Sequence, residues 1–340
     1  MTYKEVLAKA KENMAPNCRV CRECDGAACR GEIPGTGGKG SGSSFTRNFK
    51  ALSNVKINMD LIYEDKGQDT SAEFFGHKFA APVFAAPISG LGSNYNGFLN
   101  EKSYAEMLVS GCLKAGCAAF TGDGAPDNFL TDSLLAVKAS RGMAVPTVKP
   151  WDTETLRAKL DLVKNSGAMA VAMDIDSAGL PLLAAAGKPV CSKGPGELRK
   201  TAEYAGCPFI VKGIMTPLAA LKAARSGAYG IVVSNHGGRV LDHTPATIEV
   251  LPEIKNAVGD KVKIFIDGGF RTGADVFKAL ALGADAVLVG RPYVIAACGG
   301  GEEGVKLYTE KIISELQDTM KMTGCAKISD INESRVRVLF

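Results

Sequence analysis

From about residue 80 onward, short apolar runs alternate with amphipathic stretches. Eight runs stand out, at 83–86, 118–121, 145–148, 170–175, 209–211, 230–233, 262–266 and 286–289. Apolar residues dominate each without alternation, the pattern of a strand buried on both faces. Most are separated by helical periodicity, as at 153–165, 217–226 and 273–282, and the stretch between the second and third runs is the faintest of these. Four junctions share one form, Gly116-Cys117, Gly167-Ala168, Gly227-Ala228 and Gly283-Ala284. A glycine there supplies the left-handed cap of a helix that feeds a strand. Alternating βα units with buried strands predict a parallel sheet, and eight of them predict a closed (β/α)8 TIM barrel. An open doubly wound sheet is the alternative. No G-x-G-x-x-G follows the first run, which argues against its dinucleotide-binding form.

The first fifty residues are of another kind. An amphipathic helix pattern opens the chain, four cysteines follow, and 31–42 is rich in glycine without a period. The expected organisation is a helix plus Cys-rich and Gly-rich segment over 1–50 and a barrel over 51–340. Composition narrows the partners. Hydrophobic residues make up 46% and charged residues 22%, ordinary values for a globular enzyme. A net charge of +4 without a dense basic run argues against nucleic acid and against a membrane surface. The N-terminal stretch lacks an apolar signal core and no run is long enough to span a bilayer, so a cytoplasmic enzyme is expected. Ten cysteines, six of them scattered, do not form the pattern of a secreted disulfide framework.

Chemistry collects just past the strand ends, where barrel active sites lie. Reading round gives Ser89, Thr121-Gly122, Lys149, Asp176, Lys212, His236 with Arg239, Asp267, and Gly290-Arg291. The sixth run delivers Ser234-Asn235-His236-Gly237-Gly238-Arg239, an imidazole and a guanidinium on backbone that can approach a ligand closely. After the seventh and eighth come Asp267-Gly268-Gly269-x-Arg271 and Gly290-Arg291-Pro292, read as a phosphate nest with two arginines. Lys212, ending the fifth, would stabilise negative charge on a reduced ring or act as a Schiff-base nucleophile. Asp176 would orient His236, and alternation places Asp174 on its side of the strand.

These residues carry a resemblance. Ile210-Val211-Lys212-Gly213-Ile214, the Ser234–Arg239 stretch with Leu241-Asp242, and Asp267 to Ala284 closing on Gly290-Arg291-Pro292 resemble the FMN-dependent α-hydroxy acid oxidases and dehydrogenases, typified by glycolate and lactate oxidase. The match runs from about residue 206 to 330; Phe45-x-Arg47-Asn48 and Ala86-Pro87 fit more loosely. The resemblance implies FMN and oxidation of a small L-2-hydroxy acid to the 2-oxo acid, with oxygen or another electron acceptor re-oxidising the flavin. It implies His236 as base, Asp176 as its partner, Arg239 on the substrate carboxylate and Lys212 at the flavin. Pro87, Ile88, Ser89, Thr121, Thr147, Ser234, Asp267, Gly268, Gly269, Arg271, Gly290 and Arg291 would hold the cofactor. It also implies a homo-oligomer. Two departures stand out. Lys149 occupies the place of the family's tyrosine after strand three, and 177–186 contains no second arginine for the carboxylate. Lys149 or Arg30 is the expected replacement charge. Non-oxidative isomerase-type chemistry on a flavin, or a non-catalytic flavin or metal sensor, are the alternatives.

Cys18-x2-Cys21-x2-Cys24-x4-Cys29 puts four thiols within twelve residues. The bacterial ferredoxin run has three residues before its last cysteine and then a proline; here there are four and then Arg30. A structural zinc lobe is the closer reading, with an iron–sulfur cluster or unligated, redox-active thiols as the others. His243 and His77 read as structural, and Trp151 as core or pocket wall.

Overall fold

The computed structural model describes residues 1–188 and 190–339. Eight parallel strands close into a barrel in sequence order: β1 (Val83–Ala85), β2 (Ala118–Thr121), β3 (Val145–Val148), β4 (Val171–Asp174), β5 (Phe209–Ile214), β6 (Gly230–Val233), β7 (Lys263–Ile266) and β8 (Ala286–Val289). Closure is the pairing of β8 with β1, Val287 opposite Val83 and Val289 opposite Ala85. Helices join successive strands, including Asn128–Ala139 at the faint stretch between β2 and β3. Gly116, Gly167, Gly227 and Gly283 take φ of 76°, 73°, 82° and 102°, the left-handed caps the junctions require. Among the described residues no helix is long and apolar enough to cross a membrane.

Two strand ends differ from the sequence expectation. β4 stops at Asp174, because Ile175–Gly179 winds into a 3₁₀ turn. Asp176 therefore reaches the site from a turn and not by strand alternation. β5 does not end at Lys212 but continues to Ile214 through a register shift at Gly213. Gly213 has φ of 103°, and a Cβ there would lie 2.6 Å from the Cβ of Asp176. The bulge thus brings Lys212 and Asp176 together, and only glycine permits it.

The end of the barrel at the strand N-termini is plugged. A hairpin, Ala72–Phe74 with His77–Phe79, inserts Phe74, Phe75 and Phe79 below Phe84 and Phe265. Phe74 and Phe84 meet edge to face at 5.5 Å between centroids, and Phe120 continues the cluster inward. Buried aromatic pairs of this kind add about 0.5–1.5 kcal/mol beyond their area. The site opens at the opposite, C-terminal face.

The chain termini close around the same body. Helix Tyr3–Asn13, capped by Thr2 and Glu5, lies on the long helix Arg291–Lys321, which breaks at Gly301. A Cβ on Gly299 would stand 2.0 Å from the Val6 carbonyl oxygen, so the approach needs glycine. Val55–Ile57 pairs antiparallel with Val336–Val338.

Candidate active site

At the strand C-termini a cavity of about 640 Å³ opens, within the usual range for a cofactor or ligand pocket. Its wall includes Pro87, Ile88, Ser89, Thr147, Lys149, Lys212, His236, Arg239, Asp267, Gly268, Gly269, Arg271, Gly290 and Arg291. Three residues expected in that wall lie elsewhere. Asp176 sits behind His236, and Ser234 is buried beneath Lys212. Thr121 lines a separate small cavity with Ile88, Glu101 and Tyr104, because its side chain turns toward the helix layer.

The His236 loop is the most constrained backbone in the wall. His236, Gly237 and Gly238 take φ of 57°, 61° and 79° in succession. A histidine held left-handed costs on the order of 1–3 kcal/mol and persists only where its surroundings enforce it. Here they do. Asn235 and Asn48 exchange amide hydrogen bonds of 2.7 and 3.1 Å, and Asn235 also accepts from Gly238 N. A Cβ on Gly238 would fall 2.4 Å from Phe45 N, so helix Ser43–Ala51 rests directly on this loop. Asp242 completes the clamp, accepting from the backbone and hydroxyl groups of Ser41 and Ser43. Leu241-Asp242 is thus a structural part of the motif, and Gly238 serves packing, not ligand approach.

The turn aims the imidazole at Asp176. His236 Nδ1 lies 3.0 Å from Asp176 Oδ1, while Nε2 has no partner among the described residues. A carboxylate on Nδ1 fixes the proton there and leaves Nε2 as the acceptor facing the cavity. Burial lowers the His236 pKa below its ordinary value, against the raising effect of Asp176, with Lys212 adding to the lowering. Burial also opposes charge on Asp176, but Lys212 and His236 override it and hold the carboxyl below the usual range. Neutral imidazole beside ionised carboxylate is a general base at rest.

Lys212 joins this dyad to β6 and β7. Its Nζ donates to Ser234 Oγ at 2.9 Å and lies 3.3 Å from Asp267 Oδ2; Ser234 Oγ also accepts from His236 N. Burial would lower the Lys212 pKa, but Asp267, Asp176 and Asp174 push it well above the ordinary lysine value. The group is a fixed cation, so the Schiff-base alternative loses its required neutral amine. Lys149 ion-pairs with Asp174 on the same floor. It brings a cation to the cavity, but one already neutralised. Arg30 is exposed and stands outside the cavity wall.

The opposite wall carries charge without compensation. Arg239, Arg271 and Arg291 form no ion pair among the described residues. Arg239 donates to the Gly35 and Gly37 carbonyls and to Asn94 Oδ1. Arg291 donates to the Thr36 carbonyl at 2.8 Å and stacks over Phe45 at 3.8 Å. Arg271 donates to the Cys24 and Phe270 carbonyls, and its Nε is buried without a partner. Burial, then the neighbouring Arg291, lowers the Arg239 pKa to about 10. Buried guanidiniums are costly without counter-charge, so this wall is built for anions. The phosphate nest is narrower than the sequence suggests. The N–H groups at the start of helix Gly273–Ala281 go to Thr272, Asp275 and Glu315. Those of Gly268 and Gly269 have no acceptor among the described residues and remain for a ligand.

Sequence reasoning missed Asp123, two residues past β2. Fully buried, it accepts from Lys149 N, Trp151 Nε1 and Lys159 Nζ, and so sets the β2–β3 side of the cavity. It also missed Asn94 and Tyr95, which end a single helical turn, Leu91–Asn94, too short to show a period.

FMN fits these residues. Thr147 Oγ1, Asp267 Oδ1 and Arg271 Nε are buried polar atoms lacking partners among the described residues, spaced round a cavity with a cationic side. The comparisons agree. A family model described as FMN-dependent dehydrogenase matches residues 35–184 and 192–338. An L-lactate oxidase of Lacticaseibacillus rhamnosus is 32% identical over 89% of this chain and 88% of its own. A peroxisomal (S)-2-hydroxyacid oxidase of Arabidopsis thaliana is 51% identical over 38% of this chain and 36% of its own. A crystal structure of a mandelate oxidase superposes with a TM-score of 0.78 at 26% identity, covering 98% of this chain and 99% of that one. With the barrel, the His236–Asp176 pair and the cationic wall in place, the chain belongs to the FMN-dependent dehydrogenase family.

Proposed function

We propose that this protein oxidises a small L-2-hydroxy acid to the 2-oxo acid, with FMN as its cofactor and oxygen or another electron acceptor as the final oxidant. The observation that carries the reading is the dyad of His236 and Asp176, its free Nε2 facing a cavity walled by unpaired arginines. Arg271, Arg291 and the Gly268 and Gly269 N–H groups would take the phosphate. Lys212, Asp267, Thr147 and the backbone at Pro87, Ile88 and Ser89 would hold the rest of the cofactor. Bound FMN supplies the two-electron acceptor for the substrate carbon. Arg239 orients the substrate carboxylate, exchanging its carbonyl partners for it. His236 Nε2 takes a proton from the substrate, and Asp176 stabilises the imidazolium that results. The fixed cation of Lys212 favours negative charge beside it. The reading carries with it a cytoplasmic setting, supported by ten unpaired cysteines, and a homo-oligomer, supported by the family resemblance.

The test is to purify the protein, record its visible flavin spectrum and add a panel of 2-hydroxy acids without oxygen. Bleaching by at least one acid, with the 2-oxo acid as product, is expected. A protein that takes up no FMN, or a flavin that no acid bleaches, ends the reading. The pH profile offers a second check. Burial disfavours the imidazolium, so the base is neutral above the ordinary histidine range and is lost only as pH falls through a lowered pKa. kcat/KM is expected to be level above about pH 6.5 and to fall with unit slope at lower pH. An acidic limb centred well above neutrality would show that another group is the base.

A further inference from the structure

The four-cysteine segment takes no part in the chemistry above, and the family model begins only at residue 35. Yet the segment is built against the site. Cys18, Cys21, Cys24 and Cys29 all line one small cavity of about 30 Å³, with Phe45, Tyr95 and Arg291 among its other walls. Tyr95 and Arg291 also line the large cavity, so a single layer of side chains separates the two. All four cysteines are unpaired.

The spacing of the sulfurs discriminates between ligands. A zinc ion holds thiolates at about 2.3 Å, which sets tetrahedral sulfur–sulfur edges of about 3.8 Å. Among the described residues no three of these sulfurs lie mutually within 4.8 Å. They surround a space and do not converge on a point. A cubane cluster spreads its four thiolates wider than a single ion does, over a body of metal and sulfide. The linear spacing also changes meaning in three dimensions. In the two-cluster ferredoxin run the fourth cysteine serves another cluster, whereas here all four wall the same cavity. The electrostatics suit an anionic cluster. Arg271 Nη2 lies 3.6 Å from Cys24 Sγ while donating to the Cys24 carbonyl, and Arg291 closes the inner wall. The loop itself is held by close packing. A Cβ on Gly26 would meet the Phe45 ring at 2.6 Å, and one on Gly37 the Cys29 carbonyl oxygen at 1.9 Å.

We propose that Cys18, Cys21, Cys24 and Cys29 bind one four-iron, four-sulfide cluster beside the phosphate end of the flavin cavity. This selects the iron–sulfur alternative over the zinc reading of the sequence and goes beyond the proposed oxidation without depending on it. Protein purified without oxygen should contain iron and acid-labile sulfide in equal amounts, about four of each per chain. Mössbauer spectra of the isotope-enriched wild type should show a single cubane. Cys21→Ser, at the exposed corner of the lobe, and Cys18→Ser should lose that iron, while Cys191→Ser, exposed and remote, should keep it. Far-UV circular dichroism and FMN content report whether each variant has folded. One zinc per chain, four titratable thiols without metal, or iron that survives in both lobe variants would overturn the proposal. Iron content reads nothing about hydroxy acid turnover, so either conclusion can fail alone.

Discussion

Replacing His236 with asparagine is expected to leave FMN bound and to slow flavin reduction by about 10²–10⁴-fold, the usual worth of a positioned general base. Asparagine is chosen because position 236 sits at φ 57°, a left-handed conformation that asparagine tolerates and alanine resists. The substitution therefore removes the base without asking the loop to move. The loop has its own supports, the Asn48–Asn235 pair and helix Ser43–Ala51, and none of these uses the imidazole. Arg271, Arg291 and the Gly268 and Gly269 N–H groups follow other strands, so cofactor content should match the wild type. Stopped-flow flavin reduction and absorbance after gel filtration measure the two quantities separately. Turnover within tenfold of the wild type would remove His236 as base.

Lys212→Met should produce the largest loss of stability. Lys212 and Asp267 are both almost wholly buried and lie 3.3 Å apart, with Asp176 and Asp174 also acting on the same ammonium. Removing one partner of a buried ion pair typically costs about 3–5 kcal/mol, because the other charge is left behind. Methionine fills most of the volume, so the loss reads charge and not a cavity. The sign with pH is fixed by the carboxylates. The Asp176 pKa is held low in the wild type, so its stabilising contribution is present above the unfolded value and fades as pH falls. The deficit of the variant should be greatest at neutral pH and should shrink below about pH 4, where carboxyl groups protonate in the unfolded chain too. Urea midpoints across that range would show it. An unchanged midpoint at neutral pH would mean that the ammonium is not the counter-charge of this cluster.

The barrel was legible because its strands are buried on both faces. Predominantly apolar runs with glycine-capped junctions leave few other architectures, and the observed strands lie within a few residues of the expected ones. The hairpin 72–79 escaped notice because its three-residue strands are too short to show a period. At the site, His236, Lys212 and Arg291 were readable from their motifs, while Asp123 and Asn94 were not. Their roles depend on accepting hydrogen bonds from residues far away in sequence, such as Arg239 from Asn94, and no local pattern encodes a distant donor. Gly213 shows the same limit. Its identity is local, but the reason for it is the Cβ of Asp176, in the turn that follows a different strand.

The pairing of the two chain ends has a consequence for biosynthesis. Helix Tyr3–Asn13 rests on Arg291–Lys321, and Val55–Ile57 pairs with Val336–Val338. These are contacts of very high sequence separation, whose loop closure must precede any reward. Helix Tyr3–Asn13 is made well before Arg291–Lys321 and must wait for it before it can dock. Until then the apolar face around Val6 and the nearby thiols of Cys18, Cys21, Cys24 and Cys29 belong to an unfinished chain, so a lobe made early is completed late.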